Sequence, residues 1–409
     1  MSAARERLPW LLLAALFVGY AASYFHRADL PTLAPLLATD AQRSALHAAL
    51  PDIASAGMLL YALGKVLGGW LADRFGGRRL FVLALLNAAA MEAIAAQCTA
   101  PLPFALCRLC GMVVLGAAWP SLGKVVAATT APARLGVVLA WLSQSYLLGD
   151  AAVRTVLAAV VADGGGVPDV LRTSAVGLGV VALFVGIVLF VQRPIAGATA
   201  CGHVASTGRS GGVPRLLLAL AAMNAALSGV REALSLWSPQ VLVDIAGMPV
   251  DDAVRASALL PLGSCFAVLL LTPLAERSPR ALFLVVFGPP VLAASLLGVL
   301  ASGACASSNA VIAMLAAAGG CLAVPMVLAS GVLPLRAGAT GGGALRLGLV
   351  DGAGSLGGVL AGSVFGRVVL ANGPSGLFLG LALLAATAAA FAVVVTRAQS
   401  RAAADRVDR

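Results

Sequence analysis

The sequence predicts an all-α polytopic membrane protein in which twelve transmembrane helices form two six-helix halves. Three observations support this prediction. The chain of 409 residues is 60% hydrophobic and 11% charged, whereas roughly 25% of the residues in a soluble domain are charged. Its apolar residues fall into runs of about 20 or more, the length of a membrane-spanning helix. The two halves of the chain also repeat a pattern of charged residues and prolines.

Apolar segments divide the chain into twelve predicted spans, numbered in chain order. In lipid only helices and closed barrels satisfy every backbone hydrogen bond. The length of the segments favours helices over the alternating ten-residue segments of a barrel. The predicted spans cover residues 9–38, 48–72, 78–98, 101–128, 133–161, 169–192, 213–243, 253–275, 280–302, 306–335, 340–371 and 374–396.

Arginines are concentrated in the connections at one end of these spans. That end carries Arg5, Arg7, Arg74, Arg78, Arg79, Arg134, Arg193, Arg209, Arg215, Arg277, Arg280, Arg336, Arg397, Arg401, Arg406 and Arg409, and the opposite end has little beyond Arg43, Arg172 and Arg255. Because cytoplasmic loops are enriched in basic residues, both chain termini are predicted to be cytoplasmic. The net charge of +10 therefore indicates topology rather than nucleic-acid binding. The host membrane stays open between a bacterial inner membrane, a eukaryotic organelle and a plasma membrane.

A polar stretch rich in Gly, Ser and Thr, residues 194–212, predicts a cytoplasmic linker between the two halves. This division gives an N-terminal half over residues 1–193 and a C-terminal half over 213–397. Residues 398–409 form a predicted cytoplasmic tail. Each half then contains six predicted spans.

An internal repeat supports the division into halves. Arg27 is followed eight residues later by Pro35, and Arg231 is followed eight residues later by Pro239, an offset of 204 (231 − 27). Two parallel six-span repeats are the architecture of major facilitator transporters, whose substrate site lies near the midplane between the halves. The sequence therefore predicts a major facilitator fold.

The loop after span 2 reads GKVLGGWLADRFGGRR (64–79). It resembles the signature loop of the major facilitator superfamily, G-x-x-x-D-R-x-G-R-R. We expect its acid to pair with arginines of neighbouring elements and to latch the inner gate. The second half has a degraded copy, and the alternative is an ordinary basic loop that fixes topology. The predicted gating residues are Asp73, Arg74, Arg78, Arg79, Glu276 and Arg277.

Two arginines lie inside the membrane, Arg27 in span 1 and Arg231 in span 7. An intramembrane charge costs about 3 kcal/mol or more, so it seldom persists without a function. Tyr20, Tyr24 and Arg27 follow at i, i+4 and i+7, which places them on one helix face. A guanidinium group binds phosphate or carboxylate through paired hydrogen bonds. These residues predict an anion site.

The alternative is that each arginine forms a structural ion pair with a nearby acid, Asp29 or Glu232. The equivalent positions of the two arginines in the two halves argue against this alternative. Unrelated structural pairs need not recur at equivalent places.

Lysine and tyrosine are rare and are placed selectively. Only two of the 27 basic residues are lysines, Lys65 and Lys124. Lys65 lies one turn from Tyr61 in span 2, and whether it faces the central cavity stays open. Lys124 is expected to reach the membrane interface rather than the substrate. Tyr146 in span 5 completes the four tyrosines of the chain, which lie in spans 1, 2 and 5 rather than in an interfacial belt.

Five segments carry a closer resemblance. GYAASYFHRADLPTLAPLL (19–37) is similar to the first helix of the organophosphate:phosphate antiporters. Further similar segments are YALGKVLGG (61–69), AAWPSLGK (117–124), REALSLWSPQVL (231–242) and the Gly-rich segment 338–358. Together they cover most of the N-terminal half and span 7. The resemblance implies exchange of a sugar phosphate or glycerol phosphate for inorganic phosphate.

The same resemblance assigns residues to the site. It implies that Arg27 and Arg231 bind the phosphate. This chain has Ser145 at the position where bacterial members of the family have a histidine. This is closer to the eukaryotic sugar-phosphate branch, which includes the glucose-6-phosphate translocase. We expect two unpaired guanidinium groups to repel each other in the empty carrier, so that only the loaded carrier crosses readily. The predicted substrate-binding residues are Arg27, Arg231, Tyr20, Tyr24, Lys65, Tyr61, Ser145 and Tyr146.

Four further charges lie inside predicted spans and depart from that family. They are Asp150 and Arg154 in span 5, and Arg346 and Asp351 in span 11. We expect a neutralising pair within each helix, but substrate or proton sites stay open.

Two other functions stay open. The first is proton-coupled transport of another organic anion or a drug, with Asp150 or Asp351 as the titrating acid and Arg108 as its partner. The second is a membrane sensor that binds a ligand without transporting it.

No catalytic triad, metal or nucleotide motif supports an enzyme, and Cys107 and Cys110 form a CxxC without a second ligand pair. We expect no cofactor and no metal, and a monomer in the lipid bilayer.

Overall fold

Helices account for nearly all of the backbone described in this computed structural model. The structure describes residues 10–130, 132–191, 214–275, 277–304, 307–333 and 343–407, and no strand occurs in these ranges. The helices are Trp10–Ala22 and Asp29–Thr39 (span 1), Ser44–Phe75 (span 2), Gly77–Ala95 (span 3), Pro101–Leu115 and Ala118–Thr129 (span 4), Pro132–Ala162 (span 5), Val167–Val191 (span 6), Pro214–Ala246 (span 7), Val250–Ser257 and Leu259–Ala275 (span 8), Pro279–Ala301 (span 9), Ser308–Val327 (span 10), Gly343–Ser363 (span 11) and Phe365–Val407.

The last helix belongs to two spans. Phe365–Val407 is broken at Gly373, whose φ of 68° is non-helical. A positive φ is accessible to glycine because it has no Cβ. Residues before Gly373 therefore continue span 11, and residues after it form span 12.

Ten helical stretches of the described chain are long and apolar enough to cross a membrane. Spans 3 and 11, which carry the charged residues Arg78, Glu92 and Asp351, complete the twelve. The predicted all-α fold of twelve helices is confirmed. The predicted linker, residues 194–212, lies outside the described residues.

Spans 2 and 4 cross at glycines. A Cβ on Gly64 would lie 2.0 Å from the carbonyl oxygen of Val113, and a Cβ on Gly116 would lie 2.5 Å from the carbonyl oxygen of Tyr61. Small residues allow membrane helices to approach this closely, and van der Waals contact then stabilises the pair. The crossing fixes the position of Tyr61 and Lys65 on span 2.

Span 1 is interrupted in the middle of its length. Ser23–His26 form a 3₁₀ turn, in which the Ser23 hydroxyl donates to the Tyr20 carbonyl at 2.6 Å. The α-helix resumes at Asp29, whose carboxylate accepts from the Leu30 N–H at 2.6 Å. Arg27 lies in the break. Consequently Arg27 and Asp29, two residues apart, reach different partners.

The first and last six spans meet along an antiparallel contact between spans 2 and 11, the 2–11 seam. Arg367 donates to Asp52 at 2.7 Å, and the Ser55 hydroxyl donates to the Val359 carbonyl at 2.5 Å. Further along, Lys65 Nζ lies 3.2 Å from the Asp351 carboxylate. Residue numbers rise on span 2 as they fall on span 11. The seam therefore extends from the Asp52 pair to the Lys65 pair.

Large apolar side chains cover the outside of the molecule. On span 6, Val176, Val180, Leu183 and Ile187 are between 61% and 65% exposed. Their spacing of three or four residues places them on one face of the helix. Such a face requires a lipid environment, since it would be costly in water.

Candidate functional site

Arg27 and Arg231 converge on one carboxylate, that of Glu232. Arg27 Nη2 lies 3.4 Å from both Glu232 oxygens, and Arg231 Nη1 donates to Glu232 Oε1 at 2.7 Å. The side chains of Arg27, Arg231 and Glu232 are only 13%, 8% and 18% exposed. Spans 1 and 7 thus bring the two intramembrane arginines together, as the repeat predicted.

The expectation of two unpaired guanidinium groups is wrong. Both groups share Glu232, which lies beside Arg231 in the sequence. The physical reason is the cost of a buried charge, which a carboxylate within hydrogen-bond distance offsets. The alternative of structural ion pairs is half right: Arg231 does pair with the neighbouring Glu232. The pair between Arg27 and Asp29 is wrong, because Asp29 contacts Arg108 instead.

All four tyrosines of the chain lie around these two arginines. The Arg27 guanidinium lies 4.9 Å from the ring centres of both Tyr24 and Tyr61, and Arg231 lies 5.0 Å from the ring centre of Tyr146. Cations bind aromatic faces at such distances. The Tyr20 and Tyr61 hydroxyls are 3.4 Å apart. The structure therefore assembles the predicted tyrosines from spans 1, 2 and 5.

Lys65 extends the same region toward span 11. Its Nζ lies 5.2 Å from the ring centre of Tyr61 and donates to both Asp351 and the Ser355 hydroxyl at 3.2 Å. The side chain of Arg346, the expected partner of Asp351, lies outside the described residues. Lys65 faces the contact between the halves rather than the lipid.

Ser145 is placed differently from the other predicted site residues. Its hydroxyl donates to the Leu142 carbonyl of its own helix at 2.5 Å, and its side chain is completely buried. Its role in binding stays a prediction. Tyr146, the next residue, reaches Arg231.

The expected pair within span 5 is present. Arg154 Nε donates to Asp150 Oδ1 at 2.7 Å, and both side chains are buried. Arg154 also donates to the hydroxyls of Ser257 in span 8 at 2.9 Å and Ser235 in span 7 at 2.7 Å. The pair therefore joins span 5 to the second half of the chain in addition to neutralising itself.

Four ionisable residues form a buried quartet, defined as His26, Asp29, Glu92 and Arg108. Arg108 donates to Asp29 at 2.7 and 3.0 Å and also contacts Glu92. His26 Nδ1 contacts Glu92 as well. The expected role of Arg108 as partner of Asp150 or Asp351 is wrong, because spans 1 and 3 supply its acids.

The quartet was not predicted as a group. Its members lie on three spans, and no spacing rule joins them. One signal was available: Glu92 is an acid inside an apolar segment, and intramembrane acids are rare.

The loop after span 2 has an acid–lysine contact. Lys124 of span 4 donates to Asp73 Oδ1 and to the Ala72 carbonyl, both at 2.8 Å. The expectation that Lys124 only reaches the interface is thus refined, since it binds the signature acid. Arg78 donates to the Leu189 carbonyl of span 6 at 2.9 Å.

The other predicted gating residues are more peripheral. Arg74 lies 5.7 Å from the Trp70 ring centre, and Arg79 and Arg277 are exposed. Glu276 lies outside the described residues. The gating role of these residues stays a prediction.

A small cavity of about 60 Å³ adjoins the arginine–glutamate contact. It is bounded by spans 1, 2, 4, 7 and 11, and its lining includes Arg27, Glu232, His26 and Arg108. The Arg27–Glu232 contact therefore lies between this cavity and the tyrosines.

The fold and this intramembrane site define a transporter class, and comparison with known proteins identifies it. The family model of the Major Facilitator Superfamily matches residues 12–344. The chain belongs to the Major Facilitator Superfamily. No curated protein matches the chain significantly.

Solved transporters share the fold at low sequence identity. A mutant of the nucleoside transporter NupG is 14% identical with a TM-score of 0.67, over 95% of this chain and 98% of that one. A POT family transporter in complex with a thioalcohol-conjugated peptide is 12% identical with a TM-score of 0.73, over 94% and 96%. The xylose transporter XylE from E. coli, in an inward-open conformation, is 15% identical with a TM-score of 0.66, over 93% of each chain. These similarities show the fold alone.

Proposed function

We propose that this transporter exchanges an organic phosphate ester, of the sugar phosphate or glycerol phosphate type, for inorganic phosphate by alternating access. The observation that carries the proposal is the convergence of Arg27 and Arg231 within reach of one carboxylate. Two guanidinium groups that share one bridging anion form a geometry suited to a phosphate dianion. Glu232 occupies the place that this anion would take.

The charges of the site favour an anionic substrate. Arg27, Arg231 and Lys65 contribute three positive charges, and Glu232 and Asp351 contribute two negative charges, which leaves one positive charge. A dianion that displaces Glu232 from both arginines gains two charge-assisted contacts. The neighbouring tyrosines add hydroxyl donors. The Tyr24 hydroxyl oxygen accepts from Arg27 Nη1 at 3.1 Å, which leaves its own O–H to donate.

Displacement of Glu232 also gives a mechanism for exchange. Arg27 belongs to span 1 and Glu232 to span 7, so their contact joins the two halves. Phosphate would replace this contact with a stronger bridge between the halves. For the carrier to return without substrate, Glu232 would have to reform its contact with Arg27. Because only differential affinity shifts a conformational equilibrium, the exchange rate depends on how phosphate and Glu232 compete.

Topology and organisation form part of the proposal. We place both termini in the cytoplasm, with halves over residues 1–193 and 213–397, a linker over 194–212 and a tail over 398–409. The protein acts as a monomer, and Asp73 with Lys124 closes the inner gate.

The test is counterflow in liposomes loaded with inorganic phosphate. Labelled sugar, glycerol and triose phosphates are supplied outside, and we expect uptake of at least one ester that depends on internal phosphate. Arg172→Gln is the matched control, because its side chain is 57% exposed and contacts only Asp169 among the contacts described; it should exchange normally. Uptake of no ester, with phosphate exchange also absent, would contradict the proposal.

A further inference from the structure

Three cysteines lie where span 3 turns into span 4. Cys98 lies in the connection after span 3, and Cys107 and Cys110, the CxxC of the sequence, lie in the first three turns of span 4. All three carry free thiols. The arginine–glutamate contact and the buried quartet do not include them, so these thiols have no part in the anion site.

The two thiols of the CxxC have different surroundings. Leu102, Leu106 and Cys110 follow at a spacing of four residues on span 4, and all three are exposed. Such a face of a membrane helix meets lipid. Cys107 is only 8% exposed and belongs to the buried core together with Phe104. The CxxC is therefore divided between the lipid and the interior of the protein.

Cys107 meets the thiol of Cys98 instead. The two thiols interact, and Cys98 packs against the same buried core. Cys98 Sγ also donates to the carbonyl of Ile94, in the last turn of span 3, at 3.4 Å. Only residues 96–100 separate the helices of spans 3 and 4. Because a disulfide requires neighbouring side chains, this pair can form one.

Contacts between spans 3 and 4 fix the side of span 4 that carries Cys107. Arg108, the next residue, contacts Glu92 of span 3. One turn further, the Asn87 side chain of span 3 donates to the Cys110 carbonyl at 3.4 Å. A rotation of span 4 that moved Cys107 away from span 3 would also break the buried contact between Arg108 and Glu92. The packing of the two spans thus keeps the Cys107 thiol beside Cys98.

A metal site is the other use of neighbouring thiols. A structural zinc ion takes four ligands, usually Cys and His. In the part of the chain that the structure describes, no group of three or more His, Cys, Asp or Glu side chains could hold a metal ion. A covalent bond between the two thiols needs no further ligand.

We propose that Cys98 and Cys107 form a reversible disulfide that ties the start of span 4 to the end of span 3. The bond forms by thiol–disulfide exchange with a small disulfide or a protein disulfide. The Cys98 thiolate attacks the donor, because Cys98 is the more exposed of the two, and one donor thiol leaves. The Cys107 thiolate then attacks the Cys98 sulfur, and the second donor thiol leaves. Two protein thiols are oxidised, the donor disulfide is reduced to two thiols, and the protein's two protons pass to the leaving thiolates.

The position of the pair gives the bond its consequence. Spans 3 and 4 both belong to the N-terminal half, so the bond stabilises that half without linking it to the other. Residues 96–100 contain no Lys or Arg, which agrees with a non-cytoplasmic connection. Disulfides persist in oxidising compartments outside the cytosol. The compartment rests on the proposed topology, whereas the bond itself can be tested in purified protein.

The test measures the thiols of the purified full-length protein after incubation with oxidised or reduced glutathione. The protein is unfolded in the presence of a maleimide and digested with trypsin. Residues 80–107 contain no Lys or Arg, so the peptide 80–108 carries Cys98 and Cys107, and the peptide 109–124 carries Cys110. We expect two labels on peptide 80–108 after reduction. After oxidation we expect none and a mass lower by two hydrogen atoms, with Cys110 labelled in both samples. Two labels in both samples, or a bond between the two peptides, overturns the proposal.

Variants test the order of the two steps. Cys107→Ser should leave Cys98 as a mixed disulfide with glutathione, whereas Cys98→Ser should leave the buried Cys107 free. Cys110→Ser is the matched control and should form the bond as the wild type does. A mixed disulfide at Cys107, or a free Cys98 in Cys107→Ser, overturns the proposed order and with it the pair.

Thermal unfolding tests the tie between the spans. A disulfide restricts the unfolded chain and so stabilises the folded one. We expect oxidised wild type to unfold at a higher temperature than reduced wild type, and we expect no such difference in Cys98→Ser. No rise on oxidation of the wild type overturns the tie. None of these measurements requires transport, so a failure of the proposed phosphate exchange leaves them decisive.

Discussion

Arg27 of span 1 lies 3.4 Å from each carboxylate oxygen of Glu232 in span 7, and this contact joins parts of the chain 205 residues apart. Arg231 holds the same carboxylate at 2.7 Å. The site therefore contains its own anion, the Glu232 carboxylate. Any external anion must compete with this internal carboxylate, and the competition can be measured.

Glu232→Gln should strengthen phosphate binding by about tenfold, because it removes the internal competitor and leaves both arginines in place. A charge-assisted hydrogen bond contributes about 1.5–3 kcal/mol, which sets this scale. The measurement is phosphate-dependent thermal stabilisation of the purified protein. Weaker binding in the variant would show that Glu232 supports the anion rather than competing with it.

Arg27→Gln and Arg231→Gln should each abolish phosphate exchange, and their effects should not add, since one dianion depends on both groups. Arg27→Lys keeps the charge but loses the planar donor pair, so severe impairment is expected. Exchange flux and phosphate-dependent stabilisation are measured on the same preparations. Near-normal exchange by either glutamine variant would refute the two-arginine site.

Gly64→Ala should destabilise the protein by about 1–3 kcal/mol, the usual cost of overpacking, because its Cβ would lie 2.0 Å from the Val113 carbonyl oxygen. Gly69→Ala is the matched control on the same helix, since nothing lies within 4 Å of its added Cβ. Thermal unfolding should separate the two variants clearly. Equal unfolding temperatures would mean that spans 2 and 4 can move apart without cost.

Asp150→Asn should destabilise the protein by about 3 kcal/mol, because it leaves Arg154 buried without its carboxylate. The double variant with Arg154→Gln should recover part of that loss, since neither charge then remains. Thermal unfolding of the two single variants and the double variant gives the coupling energy. A double variant less stable than both single variants would indicate that the pair has a task other than mutual neutralisation.

Much of the fold could be predicted from sequence, because hydropathy is a local property and the spans are long. The predicted span 4, residues 101–128, agrees with the helices observed over Pro101–Thr129. The meeting of Arg27 and Arg231 was also predictable, since equivalent positions of a parallel repeat face the same central region.

The ion partners could not be predicted from sequence. Arg27 has Asp29 two residues away and Glu232 far along the chain, and sequence distance favours the wrong acid. The 3₁₀ break at Ser23–His26 turns Asp29 toward Arg108 and leaves Arg27 facing span 7. Such a choice depends on how the helices pack, which no spacing in the sequence records. The same limit applies to Glu92, whose partners lie on two other spans.

The placement of the two lysines makes the native protein a chemical reporter of its own conformation. They carry the only ε-amino groups in the chain. Lys65 closes one end of the 2–11 seam at 23% exposure of its side chain, and Lys124 lies beside Asp73 at 39%. An amine-reactive reagent therefore has one side-chain target at the contact between the first and last six spans and one at the loop after span 2. The ratio of Lys65 modification to Lys124 modification can be measured by mass spectrometry. This ratio reports how far the 2–11 seam opens in the unmutated protein in its own membrane.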